Sequence, residues 1–170
     1  MKNERVINVS MRWIMIIAVF ILACDDHYHS GLWVDENCDY AMDIIEEGIS
    51  KFNAVLGYDA IEVEDVAEMD DGGRADAPND DFEHAIVCEV YSGELLSEGF
   101  LGWTYKSGDI ILPAGMEDSE LLHIVMHELI HYYAYENGSD PEHTETGIFS
   151  AQLNDETEYS ETDIKLIRSL

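Results

Sequence analysis

Two histidines and a glutamate lie close together in the sequence His127-Glu128-Leu129-Ile130-His131. Residues four apart on a helix share one face, with Cβ atoms roughly 5–6 Å apart, so both imidazoles could bind one tetrahedral Zn²⁺ at about 2.0–2.1 Å. Glu128 would then lie beside the metal, where a carboxylate can take a proton from a metal-bound water whose pKa has fallen to about 7. It could pass that proton to a leaving amine. The spacing therefore predicts hydrolysis of a peptide bond.

The surrounding residues predict the helix that this motif requires. A helix over residues 118–136 could be capped by Asp118 or Ser119 and could end at Asn137-Gly138. Its apolar residues lie nearly all round the helix, which is typical of a buried one. They are Leu121, Leu122, Ile124, Val125, Met126, Leu129 and Ile130. Because an unpaired buried Glu128 would cost several kcal/mol, a chemical role is favoured over the alternative of two core histidines satisfied by hydrogen bonds.

The N-terminal residues have the pattern of an export signal. Basic residues precede an apolar run from Trp13 to Ala23, which as a helix spans about 17 Å and is too short for a hydrocarbon core of about 30 Å. The ending Ile21-Leu22-Ala23-Cys24 resembles a bacterial lipobox, in which the cysteine is lipidated. We therefore expect a lipoprotein signal peptide over residues 1–23 and a lipid on Cys24. The alternative is a cleaved signal or short anchor with an incidental cysteine.

This pattern predicts an exported protein, anchored by lipid to a bacterial membrane on its periplasmic or outer face. Residues 24–38 would form a tether and residues 39–170 a single domain, since no internal linker or repeat is evident. The formal net charge of -29 disfavours nucleic acid as a partner. The same acidity fits either a saline habitat or a cleft that attracts cationic substrates.

Two cysteines remain once Cys24 is assigned to lipid. Cys38 and Cys88 form an even pair in an oxidising compartment, where a disulfide could stabilise the fold by a few kcal/mol. Alternatively, Cys88 is a core strand residue in register with Ile86 and Val90. The sequence leaves both interpretations open.

An acidic segment follows the first predicted strand. Two glycines, a proline and five aspartates fall between residues 70 and 81, and predict a long loop. The aspartates are Asp70, Asp71, Asp76, Asp80 and Asp81. Ca²⁺ needs six to eight oxygen ligands, so this loop is a candidate Ca²⁺ site, although a plain acidic loop is favoured.

Helical and strand patterns along the chain give an α+β order. Helical spacing over residues 40–56 predicts a first helix ended by Gly57, and strand patterns follow at residues 61–64 and 85–91. A hairpin is predicted from Phe100–Tyr105 and Asp109–Leu112 through Lys106-Ser107-Gly108. This hairpin directly precedes the helix that bears the histidines.

An antiparallel edge strand of the Gly-Asp-Ile-Ile-Leu kind, followed by a His-Glu-x-x-His helix, resembles the amino-terminal half of a zincin metalloprotease. Downstream, Asp140-Pro141-Glu142-His143, Gly147-Ile148-Phe149 and residues 159–168 are similar to matrixin-like metzincins, where a Met-turn precedes a closing helix. Ser160 and Asp163 are spaced as a capping box for that helix. The resemblance covers residues 40–170. It implies a small mixed sheet with an antiparallel edge strand, a backing helix, an active-site helix and a C-terminal helix.

The chain departs from the metzincin pattern after its second histidine. Ala134 and Asn137 stand where the family has a glycine and a third histidine. Alanine disfavours the left-handed turn that the glycine makes, so we expect the helix to continue to Glu136. Phe149 replaces the family's methionine, a residue that packs beneath the metal without binding it.

The third metal ligand must then lie elsewhere. His143 is the leading candidate, because Gly138 and Pro141 can turn the chain back and a neutral imidazole suits zinc. The alternative is a carboxylate from the downstream acidic residues. These are Asp140, Glu142, Glu145, Glu156 and Glu158.

The resemblance implies a zinc-dependent endopeptidase with Glu128 as the general base and His127, His131 and His143 as metal ligands. A protein or peptide substrate would lie extended against the Asp109–Leu112 edge strand and add to the sheet by main-chain hydrogen bonds. The alternative is a non-catalytic binding lipoprotein that keeps the fold.

Overall fold

A computed structural model describes residues 30–68, 84–88, 101–154 and 156–170 of the chain. The predicted signal peptide, Cys24 and the acidic loop at residues 70–81 lie outside these ranges. Within them the chain is an α+β protein with a five-stranded mixed sheet and three α-helices. No helix in the described ranges is long and apolar enough to span a membrane.

The sheet is mixed, with one antiparallel strand at its edge. Its strands are β1 (Ser30–Asp35), β2 (Ile61–Ala67), β3 (Ala85–Cys88), β4 (Trp103–Thr104) and β5 (Ile110–Leu112). The strand order is β2-β1-β3-β5-β4, and only the β4–β5 pair is antiparallel. The predicted hairpin is confirmed, with its turn closed at Gly108, whose φ is +98°.

The edge strand differs from the predicted one. β5 pairs with β3 on one side and with β4 on the other, so it lies inside the sheet. The prediction that Asp109–Leu112 forms the edge is therefore wrong, and β4 takes that place. Local pattern identified both arms of the hairpin but not which arm meets β3, because strand order depends on contacts distant in sequence.

β1 occupies residues that the sequence pattern assigns to the tether. Leu32 and Val34 are fully buried on one face of the strand, and the whole strand pairs in parallel with β2 from Ser30↔Ile61 to Asp35↔Ala67. The prediction of a tether through residue 38 is therefore wrong, and the folded domain includes Ser30 onward. The strand was not predicted because its only inward apolar side chains, Leu32 and Val34, follow a polar segment and give a weak strand pattern.

The three described α-helices are α1 (Met42–Leu56), α2 (Asp118–Glu136) and α3 (Glu161–Ile167). α1 packs on β2, α2 packs on β4 and β5, and α3 packs on α1. A 3₁₀ helix over Glu36–Ala41 leads into α1, which ends at Gly57 as predicted, with φ of +84°. α1 packs closely on α2, since a Cβ on Gly48 would lie 2.5 Å from Val125 Cγ1. Their contact, together with the inner face of the sheet, forms the core.

The N-terminus of α2 differs slightly from the prediction. Glu117 is the capping residue, one position before Asp118, and its backbone N–H donates to Glu120 Oε2 at 3.3 Å. Glu120 is the residue type usual at the third helical position of a capping box, whereas Glu117 stands where a serine or threonine is usual. The span of the helix, residues 118–136, agrees with the prediction.

Cys38 and Cys88 form a disulfide, with Cα atoms 5.2 Å apart. Both residues are buried, so Cys88 is a core strand residue as well as a disulfide partner. The bond ties the 3₁₀ helix to β3. A link of this kind typically stabilises a fold by about 2–4 kcal/mol.

Candidate metal centre

Helix α2 presents His127, Glu128 and His131 toward one cleft. The helix continues past Ala134, which is fully buried, and ends at Glu136, as the absence of a glycine predicts. Gly138 then adopts a left-handed conformation, with φ of +69°, and turns the chain back. The segment that follows brings His143 to the two helix histidines.

Three imidazoles converge on one point. Nε2 of His143 lies 3.1 Å from Nε2 of His127 and 3.1 Å from Nε2 of His131. The nitrogen atoms that the three residues offer all lie within 4.8 Å of one another. Three nitrogen ligands of a tetrahedral zinc ion at 2.0–2.1 Å would lie about 3.3–3.4 Å apart. The observed spacing therefore fits a shared metal ion.

Hydrogen bonds among the three rings do not account for this cluster. His127 Nδ1 lies 2.9 Å from the carbonyl oxygen of Ile148, which can only accept, so Nδ1 carries the proton and Nε2 presents a lone pair. Burial lowers the pKa of His127 to about 3 and that of His131 to about 4, which keeps both rings neutral at pH 7. One proton on His143 Nε2 cannot make a linear hydrogen bond to both neighbours. A cation at the centre would satisfy all three lone pairs.

Glu128 lies beside the cluster and is only 5% exposed. Burial raises the pKa of its carboxyl to about 7, although a hydrogen bond from the Thr104 hydroxyl acts in the opposite direction. Thr104 Oγ1 donates to Glu128 Oε2 at 2.6 Å. A carboxyl group with a pKa near neutrality can both accept and release a proton at physiological pH.

A buried aromatic ring lies against all three imidazoles. The ring centroid of Phe149 lies 5.1 Å from that of His127, 4.7 Å from that of His131 and 5.0 Å from that of His143. Phe149 is fully buried. It therefore packs against the whole cluster and limits the directions in which the rings can move.

Asp163 has a role at this site that its sequence position does not reveal. It forms the predicted capping box of α3, in which Ser160 N donates to Asp163 Oδ2 at 2.8 Å. The same fully buried carboxylate also accepts from Ile148 N at 3.0 Å and from Phe149 N at 3.1 Å. A Cβ on Gly147 would fall 2.5 Å from Asp163 Oδ2. Asp163 therefore holds the turn whose carbonyl orients His127.

None of the carboxylates considered as a third ligand joins the group of potential metal ligands found in the described residues. Those carboxylates are Asp140, Glu142, Glu145, Glu156 and Glu158. Asp140 pairs with Lys106 at 2.6 Å, and Glu158 pairs with Lys51. Asn137, at the family's ligand position, instead donates from Nδ2 to the carbonyl of Tyr133 at 2.8 Å.

His123, one turn before His127, also stays outside the cluster. Its Nδ1 lies 2.9 Å from the carbonyl oxygen of Glu156. The ring lines the wall of the cleft, a cavity of about 520 Å³ that runs from β4 across α2 to residues 150–153. The cleft is therefore bordered by the edge strand on one side and by the segment after Phe149 on the other.

The site combines three convergent imidazoles, a buried carboxylate and a cleft that reaches both. Such an arrangement can hold a divalent metal and move a proton beside it. No protein-family model matches this chain, and a search of curated proteins also finds no match.

Proposed function

We propose that the protein is a zinc-dependent endopeptidase with a zincin-like fold. His127, His131 and His143 would hold the metal, because three neutral imidazoles are a common donor set for catalytic zinc and leave a fourth position open. The observation that carries this proposal is the pair of 3.1 Å Nε2 contacts in the histidine cluster, with a buried glutamate beside it. A bound zinc ion would supply Lewis acidity, polarising a carbonyl and lowering the pKa of water to about 7.

Glu128 would act as the general base. Its buried carboxylate, adjacent in sequence to the ligand His127, would accept a proton from water and later donate that proton to the leaving amine. The low exposure of Glu128 strengthens its electrostatic interaction with nearby charge, since the local dielectric is lower than that of water. Peptide hydrolysis by a metalloenzyme needs a metal ligand and a general base, and His127 and Glu128 would supply these two roles from adjacent positions.

An extended peptide would bind along β4. β4 is the last strand in the order of the described sheet, and both of its residues line the cleft. Main-chain hydrogen bonds to such an edge give affinity without requiring a particular sequence. The neighbouring cavity of about 520 Å³ would receive a substrate side chain. The proposed substrate would thus lie on Trp103–Thr104, because the Asp109–Leu112 strand favoured from the sequence is inside the sheet.

We propose further that the protein is exported and tethered to a bacterial membrane by a lipid on Cys24. The support is the apolar run that ends in Ile21-Leu22-Ala23-Cys24. The Cys38–Cys88 disulfide agrees with an oxidising compartment, because disulfides persist there and are rare in the cytosol. The formal net charge of -29 also disfavours nucleic acid as a partner.

Metal content combined with turnover tests the endopeptidase proposal. The full-length chain, purified in detergent, should retain about one zinc per molecule after dialysis and should cleave casein. Glu128→Gln should keep zinc and fold while losing cleavage by several powers of ten, because it removes the base and neither ligand. A folded protein that binds no added zinc would refute the proposal. Zinc without cleavage would instead support a non-catalytic binding lipoprotein.

A further inference from the structure

The cleft wall opposite α2 contains a hydroxyl group that reaches Glu128. Thr104 lies in β4 and is 8% exposed. Its Oγ1 lies 2.6 Å from Glu128 Oε2 and 3.3 Å from the backbone oxygen of the same residue. A hydroxyl has one proton to donate, and the shorter contact to an ionisable oxygen is the stronger hydrogen bond. The edge strand is thus bonded directly to the proposed base.

The residue two positions earlier leaves space for the other carboxylate oxygen. A Cβ on Gly102 would lie 2.8 Å from Glu128 Oε1 and 2.8 Å from Ile124 Cγ2. Any larger residue there would displace Oε1 or push the strand away from α2. Gly102 and Thr104 together define where both oxygens of Glu128 lie.

We propose that Thr104 is a positioning residue for proton transfer by Glu128. The inference rests on the proposed endopeptidase function. The terminal torsion of a glutamate has a broad, roughly two-fold distribution, so an unrestrained carboxylate samples many orientations. The hydrogen bond from Thr104 holds Oε2, and the close approach of Gly102 limits where Oε1 can lie. Catalysis depends on such restraint because small misplacements of a reacting group reduce rate strongly.

Two substitutions at this position separate the hydroxyl from the shape of the side chain. Thr104→Val keeps the branched shape and removes the hydroxyl, whereas Thr104→Ser keeps the hydroxyl and removes a methyl group. We expect Thr104→Val to lower kcat roughly tenfold to a hundredfold, the usual worth of a hydrogen bond to a charged group. KM and zinc affinity should stay within about twofold of the parent, since the zinc ligands are unchanged and the proposed peptide contacts use the main chain of β4 and not the Thr104 side chain. Thr104→Ser should recover most of the lost kcat.

Each outcome of this comparison is decisive. The full-length chain in detergent is assayed for kcat and KM on a peptide, and for zinc affinity by chelator competition. A Thr104→Val variant with parental kcat, beside a Glu128→Gln variant that is inactive, overturns the inference and leaves the proposed function intact. A parent without activity overturns both.

A purely structural role for Thr104 predicts a different pattern. Zinc affinity or the urea unfolding midpoint would then fall together with kcat, and Thr104→Ser would not restore turnover; that result also overturns the inference. Should Thr104→Val fail to fold, Thr104→Ala replaces it, since alanine lacks the hydroxyl and adds no bulk. A folded Thr104→Ala variant with parental kcat overturns the inference in the same way.

Discussion

Replacing His143 tests the metal centre most directly. This residue is exposed and lies outside the core, so His143→Ala removes an imidazole at little cost to folding. Its Nε2 contacts both helix histidines at 3.1 Å, and no other described side chain joins the group. The variant should therefore fold like the parent but hold zinc with two protein ligands.

The expected loss of affinity follows from the number of ligands. Zinc sites with four protein ligands bind with apparent free energies of about 10–16 kcal/mol, or roughly 2.5–4 kcal/mol for each ligand. Loss of one imidazole should then weaken zinc binding by roughly a hundredfold to a thousandfold, at about 1.4 kcal/mol per factor of ten. Competition with a chromophoric chelator measures this change.

Asn137→Ala is the matched control, because Asn137 lies on the same segment and its side chain bonds to the carbonyl of Tyr133, away from the cluster. It should leave zinc affinity within about twofold, since a neutral amide oxygen is a poor zinc donor. If His143→Ala binds zinc like the parent, the three-histidine centre is refuted. If Asn137→Ala is the damaging change, the chain instead uses the metzincin register after Ala134.

Three further changes test the remaining parts of the description. Asp163→Ala should weaken zinc binding roughly tenfold to a hundredfold, the usual cost of disturbing an outer partner of a ligand, because it releases the turn whose Ile148 carbonyl accepts from His127. Ser160→Ala, which removes only the cap, should cost about 1 kcal/mol of stability and leave zinc affinity unchanged. Chelator competition and urea unfolding measure both, and equal zinc affinity in the two variants would contradict the role given to Asp163. Replacing Cys38 and Cys88 with alanine should lower the free energy of unfolding by about 2–4 kcal/mol, and an unchanged urea midpoint would count against the bond. Cys24→Ser should move the protein out of the membrane fraction with activity intact, as judged by fractionation and immunoblotting; continued detergent-sensitive membrane association of a processed chain would argue against the lipid.

The helix that bears the histidines could be predicted from sequence because its signals are local. A nearly continuous apolar run, two histidines four apart and a stop at Asn137-Gly138 all act within a few turns. The convergence of His143 was also accessible, since Gly138 has few roles other than a left-handed turn. Local sequence patterns therefore predicted all three histidines of the candidate metal centre.

Features that depend on distant contacts were harder to predict. β1 pairs with β2 and β3, two strands that follow it in the chain. The residues near Ser30–Asp35 carry no local signal that predicts this pairing. The second role of Asp163 was also hidden, because its contact partner Ile148 is fifteen residues away and capping alone accounts for a carboxylate at a helix N-terminus. The hydroxyl of Thr104 reaches Glu128 only because the hairpin folds over α2.

The hydrogen bonds from residues 148 and 149 to Asp163 connect the candidate metal centre to helix α3. The proton on His127 Nδ1 is fixed by the carbonyl of Ile148, and the turn that presents this carbonyl is held by a side chain from α3. The orientation of His127 on α2 therefore depends on a helix well downstream in the chain. Under the proposed function, hydrolytic capacity would develop only once α3 had docked, after synthesis of the whole domain.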